Sequence, residues 1–273
     1  MIAFENTEVV GWEAAIRGMR NSWDSWEKSD SLFGRDLAIP YTQNNPIILI
    51  DSNGDETYIG DSDLDLMKCL RNADTDHRKF MMMITVYVDI TAPLYWWEEM
   101  DQYLVGQPTN LCSTMHKIAD KEFEWTDFSV ERLTNFGMWG KQFTDADASY
   151  APAKVMGCVI SALNGMRVRY LDYKSRGLEW SKEANQYWWQ IIQLLPSSYN
   201  QKRTVMLNYE VLANIYKSRK NHKLDEWSEH EEIIPSIDST SQAKYSKPYI
   251  ELFGFCDWLK TLPYFELITG EAG

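Results

Sequence analysis

The sequence predicts a mixed α+β fold with one small central sheet wrapped by helices. Three observations predict it. Val155, Val159, Ala162, Leu163 and Met166 recur with a helical period in the second half of the chain. Two runs rich in β-branched or aromatic residues, Ile47–Ile50 and Phe80–Val88, lie between turn signals in the first hundred residues. A chain of 273 residues, 44% apolar and 25% charged, suits one large domain with a substantial core, which excludes collagen-like, coiled-coil and wholly disordered classes.

Each element follows from local chemistry. Gly11 to Arg17 reads as a helix start. Ile47–Ile50 reads as a buried strand, Asp51 to Gly54 as a turn with the Asn-Gly hairpin signal, and Tyr58-Ile59 as the returning strand. Asp61-Ser62-Asp63 can cap a helix with Leu64, Met67 and Leu70 on one face. Phe80–Val88 reads as a strand, and Pro93 then opens a helix from Leu94 to Leu104, because proline is tolerated in a first turn. Beyond Ala151 the expectation is mostly helical: a helix started by Pro152, one from Trp180 to Leu195, one from Val205 to about Trp227, and a last from Tyr249 to Leu262. Ile234–Pro248, polar and holding two prolines, reads as a loop or insertion within a single domain spanning 1–273.

Charge and cysteine usage narrow the function. Asp and Glu number 40 against 27 Lys and Arg, a formal charge of −13, and such a surface repels a phosphate backbone, so non-specific nucleic-acid binding is not expected. A small nucleotide in a local basic pocket remains compatible. Cys69, Cys112, Cys158 and Cys256 are scattered without a Cys-x-x-Cys, which reads as reduced thiols in a cytoplasmic protein. The first residues carry no basic and apolar leader pattern, and the longest apolar run is far short of the roughly 20 residues of a membrane helix, so no membrane role is expected. His116, His222 and His230 lack metal-ligand spacing, and no metal is expected.

Two segments carry candidate chemistry. On the expected Val205–Trp227 helix, Asn208, Leu212, Ile215 and Arg219 form an i, i+4, i+7, i+11 stripe with a polar group at each end. A guanidinium fork suits a pyrimidine carbonyl or a phosphate. The alternative is a surface pair with an acid such as Glu226. In the second segment a strand leads through Ala92-Pro93 into a helix and then a polar turn with Asn110 and Ser113, which could line a ligand or simply cap a core helix. An acidic helix face is the reading of Glu98, Glu99 and Asp101.

Together these segments resemble the flavin-dependent thymidylate synthases. Ala92-Pro93 precedes Asn110-x-x-Ser113, and Leu195-Pro196 is followed twelve residues after the proline by Asn208, with Asn214 and Arg219 at the family's spacing of six and eleven. Ala14-Ala15-Ile16-Arg17 looks like the family's early Ala-Ala-Arg, and His77-Arg78-Lys79-Phe80 like the lead-in to its strand. The resemblance covers roughly residues 10–30, 60–115 and 190–230.

The resemblance implies the thymidylate-synthase-complementing fold, a homotetramer with shared ligand sites, and a pyrimidine nucleotide as ligand. It assigns the nucleotide to Asn110, Ser113 and Arg219, with Arg219 catalytic through the charge developing on the pyrimidine. It assigns the flavin, FAD, to Asn208, Asn214 and His77. Methylenetetrahydrofolate and NADPH belong to it where the family reaction is kept. The chain also departs from the pattern. The family's Arg-His-Arg falls near Gln102-Tyr103-Leu104, the flavin-contacting arginine two after the helix asparagine is Glu210, and a nucleotide-binding arginine is Ile192. Lys202, Arg203 and Lys117 are candidate replacement cations, with Tyr95, Trp96, Trp97 and Tyr103 for stacking. Two readings follow: a diverged enzyme that methylates dUMP or makes a related one-carbon transfer, and a non-catalytic nucleotide binder that sequesters a nucleotide signal or regulates a partner.

Overall fold

The computed structural model describes residues 2–38, 47–51, 53–104, 106–113, 117–133, 151–230 and 253–270. The elements are β1 (Ala3–Val10), α1 (Trp12–Asn21), β2 (Leu32–Gly34), β3 (Ile48–Ile50), β4 (Glu56–Tyr58), α2 (Asp61–Asn72), β5 (Thr85–Pro93), α3 (Leu94–Met100), β6 (Thr109–Leu111), α4 (Pro152–Ser175), α5 (Lys182–Leu194), β7 (Asn200–Asn208), α6 (Tyr209–Arg219), α7 (Phe255–Leu259) and α8 (Glu266–Thr269). The mixed α+β class stands. A four-stranded sheet runs β1-β5-β7-β6, and a three-stranded antiparallel sheet runs β2-β4-β3.

The contacts group the chain into two compact units: Thr91–Gln102 with Asn110–Arg203, and Ile2–Ile90 with Tyr103–Thr109 and Thr204–Gly273. The core of the first unit is the α4–α5 hairpin closed on the segment after β6. Ile118, Phe123, Phe128, Ile160, Leu163 and Ile191 form one buried cluster. Each such side chain contributes about 1.5–3 kcal/mol by leaving water. Asn164 on α4 pins the passing backbone twice, its Oδ1 accepting from Phe123 N at 2.8 Å and its Nδ2 donating to Phe123 O at 2.9 Å.

In the second unit α1, α2, α6 and the C-terminal helices enclose Trp12, Met67, Tyr209 and Leu212. Trp12 meets Tyr209 edge to face at 5.4 Å, and the Tyr209 hydroxyl donates to Pro263 O at 2.6 Å. Gly11 begins α1 at φ 94, where a Cβ would collide with the Met83 carbonyl oxygen, so only glycine fits.

Several local expectations change. Residues 3–10, unassigned by the sequence pattern, form β1. Ile48 and Ile50 of β3 are exposed rather than buried, at 42% and 67%. The α2 cap comes from across the chain: Asp30 accepts from Ser62 N at 2.9 Å and Asp63 N at 3.1 Å. Residues 75–83 form a 3-10 segment, and the strand begins only at Thr85. Pro93 opens a helix that ends at Met100 rather than Leu104. Val205–Leu207 is strand, not helix; helix begins at Tyr209 and ends at Arg219, short of Trp227. Of the last expected helix, residues 249–252 lie outside the described residues, and helix is found over Phe255–Leu259, ending before Leu262. Ile234–Pro248, Tyr249 and His116 lie outside the described residues. No helix among the described residues is long and apolar enough to cross a membrane.

Candidate functional site

The first unit holds a cavity of about 330 Å³ between the end of β6, the turn after it and the start of β7. Its polar wall carries Ser113, Lys117, Lys121 and Lys202, and its flat wall carries Phe123 and Tyr199. Backbone pairing builds it. Cys112 N donates to Lys202 O at 3.0 Å, and the Gln201 side-chain amide donates back to Cys112 O at 3.1 Å. Ser129 N donates to Ser198 O at 2.8 Å, which carries the Phe128 region onto the strand start.

The electrostatics favour an anion. Three lysines face the cavity against one aspartate, Asp127, in a chain of net charge −13. Lys117 pairs with Asp120 at 2.8 Å, with side chains 68% and 46% exposed, and Lys121 pairs with Asp127. An exposed pair such as Lys117 with Asp120 contributes little, so the Lys117 ammonium can swing to a phosphate, whereas Asp127 in the second pair is only 10% exposed. The bond to Asp120 holds the Lys117 ammonium above its ordinary value. Burial, with Asp127 and Cys112 nearby, pushes the Tyr199 phenol up, so it stays neutral and can donate.

Among the sequence candidates, Ser113 lines this cavity, and Asn110 stands exposed on β6 in the same unit. Lys117 and Lys202, suggested as replacement cations, line it too, whereas Lys121 was not singled out. Its only sequence signal was its place four residues after Lys117. Arg203 is corrected. It is 9% exposed, donates through Nη1 to Asp101 at 2.7 Å and through Nε to Gln201 at 2.9 Å, and lies 4.3 Å over the Trp97 ring. That cation is committed to structure. Trp96 and Trp97 are corrected as stacking surfaces, since both are fully buried and pack edge to face at 4.9 Å.

The remaining candidates belong to the second unit. Arg219 ends α6, partly buried. Its Nε donates to the Tyr103 hydroxyl at 3.0 Å, its Nη1 donates to His222 Nε2 at 2.8 Å, and its guanidinium lies 5.0 Å over the Trp227 ring. Asn208 caps α6, its Oδ1 accepting from Val211 N at 3.0 Å. Asn214 is exposed and reaches Glu210 Oε1 at 3.5 Å. His77 is exposed in the 3-10 segment, 3.8 Å from Asp74. The structure thus brings Glu210, Asn214 and Arg219 onto α6, with Asn208 at its cap.

Glu210 tests the fit of a flavin. It is 6% exposed, and among the described residues its Oε2 has no hydrogen-bond partner. Burial pushes its carboxyl above the ordinary range, against the pull of Arg78, Asn214 and Arg71. A buried carboxylate repels a diphosphate, and the Asn208 Oδ1 is already engaged as a cap. The described side chains do not reproduce the flavin contacts that the sequence resemblance assigns to this helix. Among the described residues no group of three or more His, Cys, Asp or Glu side chains could hold a metal ion.

No protein-family model matches the chain, and no curated protein sequence matches it. Among solved structures it is similar to the flavin-dependent thymidylate synthase ThyX of Helicobacter pylori complexed with FAD and dUMP, at 15% identity, over 82% of this chain and 86% of that one, with a TM-score of 0.49. A second structure of that enzyme, also with FAD and dUMP, gives 15% identity, 81% and 85% coverage and a TM-score of 0.47. It is similar also to the UMP/dUMP methylase PolB of Streptomyces cacaoi bound with 5-Br dUMP, at 12% identity, over 79% and 76%, with a TM-score of 0.44.

Proposed function

We propose that the protein binds a pyrimidine nucleotide, with the phosphate held in the lysine-lined cavity of the first unit. The observation that carries this reading is the gathering of Lys117, Lys121 and Lys202 around Ser113 and Tyr199 in a strongly acidic chain. The lysines supply charge, the Ser113 hydroxyl and Tyr199 phenol supply directional donors, and the partly exposed Tyr199 ring offers a flat surface for a base. The motif resemblance supplies the ligand class. On that resemblance the chemistry is one-carbon transfer to the pyrimidine, dUMP methylation or a relative of it. The same resemblance, independently of the cavity, gives Arg219 of the second unit the role of steadying the negative charge that develops on the ring, and it implies a homotetramer in the cytoplasm.

A second reading, binding without turnover, is favoured by Glu210. It puts a buried carboxyl where the family pattern has a flavin-contacting arginine. Sequestration of a nucleotide signal or control of a partner would then be the role.

One experiment separates the two. The protein is incubated with dUMP, FAD, methylenetetrahydrofolate and NADPH, and the nucleotide is read by mass spectrometry, with melting curves recorded for each ligand alone. Methylated product supports the enzyme. A thermal shift with dUMP or UMP, no shift with FAD and no product supports the binder. No shift with any nucleotide and no product overturns both. A hundredfold ligand excess over Kd should stabilise the fold by about 2.7 kcal/mol.

A further inference from the structure

A second cavity, of about 410 Å³, lies in the other unit between α1, the turn at 26–28 and β2. Its walls are Ile16, Trp26 and Phe33, and its polar groups include Arg17, Arg20 and Asn21. Nothing in the nucleotide reading uses it.

Arg20 is the unusual member. It is 4% exposed, yet it lines an open cavity. Its Nε donates to Asp63 Oδ1 at 2.6 Å, its Nη1 to Ser25 O at 3.3 Å and its Nη2 to Ser62 Oγ at 3.2 Å. A guanidinium carries five N–H donors, so these three bonds leave donor capacity. The group cannot swing away, because Asp63 is itself locked. Asp63 Oδ2 accepts from Ser29 Oγ at 2.6 Å, from Ser31 Oγ at 2.7 Å, and from the backbone N of Asp30 and Ser31 at 3.2 Å each. The guanidinium is therefore fixed before any ligand arrives, which lowers the entropy cost of binding.

The aromatic wall is fixed in the same way. Trp26 Nε1 donates to Asn21 Oδ1 at 2.8 Å, while half of the residue, 50%, is exposed. A half-exposed indole held in one orientation is a platform for a flat ring. At the rim, Arg17 and Glu13 are 3.9 Å apart and each 65% exposed, a weak pair that leaves Arg17 able to meet an anion.

We propose that this cavity is a ligand site for a planar aromatic carboxylate, its ring against Trp26 and Phe33 and its acceptor oxygens toward Arg20 and Arg17. The ring meets the apolar walls, the carboxylate meets the remaining donors of the fixed Arg20, and the exposed Arg17 supplies the charge from the rim.

The test uses the full chain and calorimetric titration with indole-3-acetate, alongside indole, which lacks the carboxylate, and cyclohexanecarboxylate, which lacks the flat ring. Saturable binding of indole-3-acetate, weaker binding of both controls, and a loss of about tenfold on Trp26→Ala, equivalent to about 1.4 kcal/mol, are expected. Arg17→Gln should weaken the carboxylate and leave indole unchanged. Arg20 is not the test variant, since it holds a buried ion pair. A Trp26→Ala protein that melts like the wild type and binds indole-3-acetate equally well overturns the proposal, as does wild-type protein that shows no saturable binding. Added dUMP should not compete; competition would place the probe in the nucleotide site and also overturn it.

Discussion

Arg219 Nε donates to the Tyr103 hydroxyl at 3.0 Å, and the Tyr103 ring lies 5.5 Å from the same guanidinium. One cation of α6 is thus held by a phenol and by the Trp227 face. Arg219→Ala removes the hydrogen bonds to Tyr103 and His222 and a partly buried cation–π contact, so a stability loss of about 1–2 kcal/mol is expected. A thermal melt checks it, and Arg219→Lys should not restore the loss, because an ammonium lacks the planar fork. If Arg219 also serves the nucleotide, affinity or turnover falls by more than stability predicts.

The buried pair of Arg20 and Asp63, exposed 4% and 0%, anchors α1 to α2. Asp63→Ala strands the guanidinium and should cost about 3–5 kcal/mol. Burial alone would raise the Asp63 carboxyl; hydrogen bonds from Ser29, Ser31 and Arg20 outweigh it and hold it below its ordinary range. The folded group therefore binds its proton less readily than the unfolded one. Its contribution is fully present above the unfolded value, about 3.9, and is lost as pH falls through the lower folded value. Denaturation midpoints measured from pH 6 down to pH 2 should fall more steeply for the wild type than for Asp63→Asn.

Glu210 has the opposite sign. Burial raises its carboxyl, so the folded state takes up a proton more readily than the unfolded chain. Above the folded value the wild type carries a buried charge that costs stability, and below it that cost disappears. Glu210→Gln should stabilise by about 1 kcal/mol at neutral pH, and the gain should shrink toward pH 4. Paired melts at the two pH values read this directly.

Much of the second half was legible. α4 and α5 follow from apolar period, a proline at the first turn and Ser181 as a cap, whose Oγ accepts from Ala184 N at 3.1 Å. β7 was hidden by chemistry. Its buried positions are Gln201, Arg203, Val205 and Leu207, and two of the four are polar, so the period-two signal broke and the run merged with the helix that follows. The commitment of Arg203 to Asp101 and Trp97, and of Asp30 to the α2 cap, joins residues 102, 106 and 32 or 33 apart in sequence. No local pattern reports such partners. Ser113, Lys117 and Lys202 were legible as candidates, but their meeting in one cavity depends on the pairing of the β6 exit with β7.

Removing the three cavity lysines tests the nucleotide reading most directly. Isothermal titration of dUMP and UMP is run into wild type and into Lys117→Gln/Lys121→Gln/Lys202→Gln, at low and at moderate salt. Because all three side chains are exposed, the fold should be unchanged. Saturable wild-type binding that weakens with salt, and at least a roughly tenfold loss in the variant, or about 1.4 kcal/mol, is the predicted result. Equal affinity in the two proteins, or no binding by the wild type, would contradict it.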